Sequence, residues 1–181
     1  AYHTSPIGSE AMRVAFEKWN ELALRIAQAA STIEEARYIF NASPVDSEAR
    51  RVATDMRDEL VLKKVQAAST IREARDACNA SPVGSRARQI VIKKWVGFCT
   101  TIDQIKDAYG ASSAGSEARH VAIKKWIKLC ATTNQAKDAY STFPGGNKAR
   151  QMAFNKWNEL ALEEVRAAST IGKVRDAYNA S

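Results

Sequence analysis

From Glu10 onward the apolar positions Ala11, Ala15, Phe16, Trp19, Leu22 and Ala23 recur at the spacing of one helix face, while Glu10, Arg13, Glu17 and Asn20 fall on the other. The pattern predicts an amphipathic helix with a broad apolar side. A second helix is predicted to begin at Ser31-Thr32-Ile33-Glu34-Glu35, where Thr32 and Glu35 stand at capping-box spacing and Ile33, Ala36 and Phe40 form an apolar stripe. It should end near Asn41, because Pro44 cannot continue a helix.

The pair then recurs. Related junction segments begin at Ser5, Ser43, Ser81, Ser112 and Phe143, at separations of 38, 38, 31 and 31 residues, and such periods mark stacked helical repeats. The predicted fold is all-α, an α-solenoid of five two-helix repeats of 38, 38, 31, 31 and about 38 residues, covering about 5–42, 43–80, 81–111, 112–142 and 143–181. Each unit opens with an N-cap candidate that follows Gly or Asp: Ser9, Ser47, Ser85, Ser116 and Asn147. The small residue Ala11 returns as Ala49, Ala87, Ala118 and Ala149, where close approach of two helix backbones is expected. The opening Ala1-Tyr2-His3-Thr4-Ser5-Pro6 resembles the closing Ala177-Tyr178-Asn179-Ala180-Ser181, so the chain is expected to be a segment of a longer array.

The seven residues missing from the short units come out between the Trp and the second-helix stripe. Trp19 and Ile33 are 14 residues apart, whereas Trp95 and Ile102 are seven apart. Seven residues are about two helical turns, so the apolar face keeps its direction while the helix loses roughly 10 Å. The expected result is a notch above Val96 to Thr101 and Ile127 to Thr132. Its candidate partner-binding residues are Lys63, Lys64, Phe98, Thr100, Thr101, Lys128, Thr132, Glu163 and Glu164.

The spacing Ala36-x-x-x-Phe40, repeated at Ala136 to Tyr140 and in variant form at Ile105 to Tyr109 and Val174 to Tyr178, resembles the second helix of tetratricopeptide-like repeats. So do the aromatic in the first helix and the Pro after the second; no Leu-Gly pair follows the Trp, as it would in that family. The resemblance implies a right-handed helical-hairpin solenoid that binds peptides or proteins on its concave side, with a single-stranded RNA binder among the relatives.

Composition narrows the classes further. At 45% hydrophobic and 26% charged, with no apolar run long enough to span a bilayer, the chain is globular material for which no membrane insertion is expected. Net charge +7 permits a nucleic acid, an anionic membrane surface or an acidic protein as partner, and charge alone does not choose among them. One basic ladder runs through Arg37, Arg75, Lys106, Lys137 and Arg175, a second through Arg50, Arg88, Arg119 and Arg150, and a third through Lys18, Lys94, Lys125 and Lys156. Asp76, Asp107, Asp138 and Asp176 recur beside the first, which favours an inter-repeat ion network over a phosphate track.

Trp19, Trp95, Trp126 and Trp157 share one register and read as a core rung; Arg57 takes that slot in the second unit and is expected to snorkel or to pair with Asp55 or Glu59. Cys99 and Cys130 occupy a small-residue slot and Cys78 the Tyr slot, while His3 and His120 read as surface residues. Three Cys without paired spacing, and no signal segment in this chain, favour a reducing, cytoplasmic compartment. No phosphate loop, zinc-protease helix, paired-Cys motif or nucleophile elbow occurs, so neither an enzyme nor a cofactor is expected. The leading expectation is a scaffold for a protein or peptide partner. Single-stranded nucleic-acid binding, and a rod or filament that self-associates through open array ends, are the alternatives.

Overall fold

The computed structural model describes residues 10–168 and 170–180, all of whose regular structure is helical. The junction at Ser5, the cap candidate Ser9 and His3 lie outside the described residues. Among the described residues ten helices follow in consecutive pairs: α1 (Glu10–Ala29) with α2 (Ile33–Ala42), α3 (Glu48–Ala67) with α4 (Ile71–Ala80), α5 (Arg86–Phe98) with α6 (Ile102–Ala111), α7 (Glu117–Leu129) with α8 (Thr133–Thr142), and α9 (Lys148–Ala167) with α10 (Ile171–Ala180). The chain divides into two compact units, Ala1–Val91 and Ile92–Ser181, and the division falls within α5.

Helix lengths follow the sequence periods. The helices α1, α3 and α9 are 20 residues long, whereas α5 and α7 are 13, and every second helix has 10. The seven-residue loss is thus taken wholly from the first helix of a pair. A shortened helix still has to satisfy its last carbonyls. Lys125 of α7 does so for α5, its Nζ donating to Val96 O at 2.7 Å and Gly97 O at 2.8 Å.

The junctions are built from side-chain caps. Ser43, Ser81 and Ser112 are buried, and their hydroxyls donate back to Ile39 O, Ala77 O and Tyr109 O at 2.6, 2.7 and 2.6 Å, closing the ends of α2, α4 and α6. A turn follows, closed by Ser47 N–H to Pro44 O, Ser85 N–H to Pro82 O and Ser116 N–H to Ser113 O. Its third residue is left-handed, with φ of 62° at Asp46, 82° at Gly84, 72° at Gly115 and 75° at Gly146. The next helix starts on Ser47, Ser85, Ser116 or Asn147, whose side chain accepts the N–H of Arg50, Arg88, Arg119 or Arg150 at 3.2, 3.1, 3.2 and 2.9 Å.

Second helices start on a threonine. Thr32, Thr70 and Thr101 complete capping boxes with Glu35, Glu73 and Gln104. One oxygen of Glu35 accepts from the Ser31 backbone N–H at 2.8 Å, the Ser31 hydroxyl at 3.1 Å and the Thr32 N–H at 3.1 Å. The backbone N–H of Ser31 is the largest of the causes that hold this carboxyl below its ordinary value, and Ser69 does the same for Glu73.

In the first compact unit α3 packs on both α1 and α2, so Val52, Met56, Leu60 and Phe40 close over a buried cluster of Ala27, Ala30, Ala36, Ile39 and Ala53. In the second, α9 packs on α7 and α8, and α7 on α6. Ala49, Ala87, Ala118 and Ala149 are buried as the close-approach slot requires, but Ala11 is exposed: no described helix precedes α1 to cover it.

Aromatic triads fill the larger spaces in the second unit. Trp126 meets Tyr109 edge-on at 5.8 Å and Phe143 at 5.2 Å, and Tyr140, Phe154 and Trp157 form a second cluster at 5.8 to 6.2 Å. Trp95 and Trp126 are 3% and 1% exposed, which makes them core residues; Trp19 and Trp157 are half-buried.

Two stability outcomes follow from the caps. A Cβ at Gly84 meets no atom, so Gly84→Ala is expected to lose about 1 kcal/mol through its left-handed backbone alone, while Asp46→Gly gains stability; urea denaturation reads both. The folded-state pKa values of Glu35 and Glu73 are depressed, so their contribution is complete above the unfolded value near 4.5 and is lost as pH falls toward the folded one. Glu35→Gln with Glu73→Gln, the residue type of Gln104, should flatten stability between pH 3 and pH 5, and a pH series of melting curves that keeps its slope would refute that origin.

Candidate functional site

The residues expected around the notch are divided between the compact units. Lys63 and Lys64 belong to the first, where Lys63 pairs with Glu59 at 2.8 Å and both lysines are exposed. Phe98, Thr100, Thr101, Lys128, Thr132, Glu163 and Glu164 belong to the second. There Thr101 and Thr132 are not free contact groups, because their hydroxyls accept the Gln104 and Gln135 N–H groups as helix caps. The Thr100 N–H donates to Gln104 Oε1 at 2.8 Å, and Glu164 reaches from α9 to accept from Thr133 Oγ1 at 3.1 Å. Phe98 lies 5.9 Å from Lys94, while Lys128 and Glu163 are exposed. A cavity of about 540 Å³ opens beside Thr100 and Thr101, with Asp103, Lys106, Asn134 and Asp138 on its walls. Of these, Lys106 pairs with Asp138 at 2.7 Å.

That pair is the expected ion network at one rung of the first ladder. Lys106 also lies 5.4 Å from the Trp126 ring, and Lys137 lies 5.1 Å from the Trp157 ring. Arg37 and Arg175 are exposed. The second ladder has an intramolecular role that the sequence alone did not reveal. Arg50, Arg119 and Arg150 lie 4.2, 4.2 and 4.3 Å over the rings of Phe40, Tyr109 and Tyr140, each ten residues earlier. Where Cys78 replaces the aromatic, Arg88 instead donates to Cys78 O at 3.0 Å and Ser81 O at 3.1 Å. In the third ladder Lys18 and Lys156 pair with Glu21 and Glu159.

Arg57 is 9% exposed and lies 5.1 Å from the Phe40 ring, so it neither snorkels nor leaves the Trp slot. Its neighbouring acid is Asp58 rather than Asp55 or Glu59, the latter being engaged by Lys63. Burial is the main cause that lowers the guanidinium pKa and raises that of Asp58, and Arg57 Nε and Asp58 Oδ1 are both buried without a hydrogen-bond partner. The cysteines are buried, with thiol pKa values raised chiefly by that burial, and Cys99 and Cys130 donate to Trp95 O and Trp126 O four residues back. Among the described residues, no three potential metal ligands cluster and no helix is long and apolar enough to cross a membrane.

A second cavity, of about 570 Å³, lies at the N-terminal ends of α7 and α9. Tyr109, Ile123 and Ala149 are buried in its floor, with Met152 half-buried beside them. Its rim is basic. Lys124 and Lys148 are exposed there, Arg119 is half-buried, and the Nδ1–H of exposed His120 donates to Ser116 O at 2.8 Å. No acidic side chain lines it. The expected notch did not point here, although lining up the charges of successive first helices would have.

The chain matches no family model, no curated protein and no solved structure.

Arg57 and Asp58 stand where other units carry Trp19-Asn20 and Trp157-Asn158. Arg57→Trp with Asp58→Asn is expected to stabilise the chain by about 0.5–2 kcal/mol, by restoring an aromatic on Phe40 and removing two poorly satisfied charges. Arg57→Ala, which strands Asp58, should destabilise it. Urea midpoints that rank the double variant below the wild type would refute this account of the slot.

Proposed function

We propose that this chain is a non-enzymatic helical-repeat scaffold, an α-solenoid of tetratricopeptide-like kind, whose extended surface binds a protein or peptide partner. The observation that carries this is the second cavity, which joins a buried apolar floor to exposed cations that no lining acid neutralises. Peptide sites on helical scaffolds need that combination: an apolar recess takes an anchor side chain, and a few placed polar groups fix its orientation.

The recurrent pairing of long or shortened first helices with ten-residue second helices supports the scaffold class. The state of the basic ladders weighs against nucleic acid as the main partner. Arg50, Arg119 and Arg150 cover aromatic faces, Lys106 is held by Asp138, and Lys125 caps α5. Base stacking needs exposed rings, and Trp95 and Trp126 are buried.

Selection of a displayed random peptide library on the whole chain is expected to enrich a sequence motif that binds in solution. A random single-stranded oligonucleotide should bind weakly even at low salt. Failure to enrich any motif, together with oligonucleotide binding that falls steeply between low and physiological salt, would replace the protein-binding assignment with the nucleic-acid one.

A further inference from the structure

At the junction that precedes the second cavity, Lys93 of α5 forms an ion pair with Glu117 of α7. Thirty-one residues later, one repeat on, the same two register positions are Lys124 and Lys148. The acid has become a lysine. The equivalent positions carry Asp55 and Arg86 one junction earlier and Glu17 and Glu48 at the first, so both are basic only here. Like charges facing one cavity are unfavourable for folding, and an anionic occupant would reverse the sign of that effect. The apolar floor of Tyr109, Ile123 and Met152 lies directly beneath.

We propose that this cavity is a docking site for an acidic peptide segment anchored by one large apolar side chain, with Lys124 and Lys148 as the charges that select it. This rests on the protein-binding function proposed above. The charges decide the sign of the partner, because Arg119, Lys124 and Lys148 line the cavity with no acid among them. The floor decides its class. Among the described residues of the lining Tyr109 is the one Phe, Tyr or Trp, and its ring is covered by Arg119 at 4.2 Å and packed against Trp126 and Phe143, so it has no free face on which a base could stack; the other ring, His120, is tied back to Ser116 O through Nδ1. What stays open is a recess for an aliphatic or aromatic side chain with a cationic rim around it. Sequence sets this junction apart from its neighbours: the second repeat carries Thr54, Asp55 and Asp46 where this one has Ile123, Lys124 and Gly115, while the third keeps Ile92, Lys93 and Gly84 and differs by Glu117 in place of Lys148.

The test uses the whole chain and a fluorescein-labelled peptide with Leu-Phe at its centre and Glu and Asp on both sides, read by anisotropy. Comparison probes are the same peptide with Ser for the acids, the same with Lys for the acids, the acidic peptide with Ser for Leu-Phe, a single-stranded oligonucleotide, and laurate. The acidic apolar peptide is expected to bind tightest, and more weakly as salt rises. Lys148→Glu recreates the charge pattern of the previous junction; it should weaken that peptide by about tenfold or more while leaving the melting temperature unchanged or higher. Lys124→Glu, which makes the opposite pair, should give the same loss. Unchanged affinity in both variants overturns the assignment, as does equal binding of the Ser-substituted peptides or displacement of the probe by oligonucleotide or laurate alone. If the neutral or basic peptides bind and ignore both substitutions, the scaffold binds peptides elsewhere and only this site is lost. If no peptide binds, the protein-binding function falls with it.

Discussion

Ten residues separate each second-helix aromatic from the arginine that stacks on it, and the chain between them must end one helix, turn and begin the next so that the two meet. The geometry leaves little freedom. At Phe40–Arg50 and Tyr109–Arg119 the buried serine closes the last carbonyls of the second helix, the left-handed residue reverses the chain, and the cap residue begins the first helix by accepting the N–H of the same arginine whose guanidinium stacks. Backbone and side chain of one residue are therefore fixed together, the first by the cap and the second by the ring. Arg88 shows that the constraint outlives the aromatic: over Cys78 the guanidinium keeps its place by binding carbonyl oxygens.

With the junction fixed, helix length becomes adjustable in only one increment. Removing seven residues preserves the direction of the apolar face, and the 13-residue helices α5 and α7 follow that rule. What changes is the polar end. In α5 the freed carbonyls of Val96 and Gly97 are taken by Lys125 from the following first helix, so a member of a periodic basic set serves as a helix cap. Surface charge in a repeat chain is thus easily misread, because each cation has a neighbour one repeat away as well as a neighbour on its own helix.

That is also where the sequence stopped being legible. Helix number, the lengths of the first helices, the caps at Ser47, Ser85, Ser116 and Asn147, and the burial of Trp95 and Trp126 all depend on local spacing or on periodicity, and both can be read from one chain. The arginine-on-aromatic stacks and the Lys106–Asp138 pair depend on which residues of successive helices meet, and periodicity supplies candidates without choosing among them. Neither Asp58 at i+1 nor Asp55 and Glu59 at i−2 and i+2 faces Arg57 by helix spacing, so spacing does not choose among them; burial perturbs both Arg57 and Asp58, and their charges interact. Ala11 keeps its register but is exposed, since among the described residues no helix precedes α1.

Departures from a repeat separate by where they fall. Arg57 breaks the Trp rung inside the stack, where its orphaned Nε and the raised pKa of Asp58 register as a cost to folding with no solvent-facing return. Lys148 breaks an ion pair at the surface, where folding loses little because exposed pairs contribute about 0–1 kcal/mol. The same substitution alters the charge of the cavity rim far more than it alters stability, since a bridged lysine becomes one of two lysines without a lining acid. A repeat can vary its solvent-facing register positions in this way without disturbing the caps and stacks beneath them. Specificity is therefore sought where an exposed register position changes sign over an intact core, and in the second compact unit that position is Lys148.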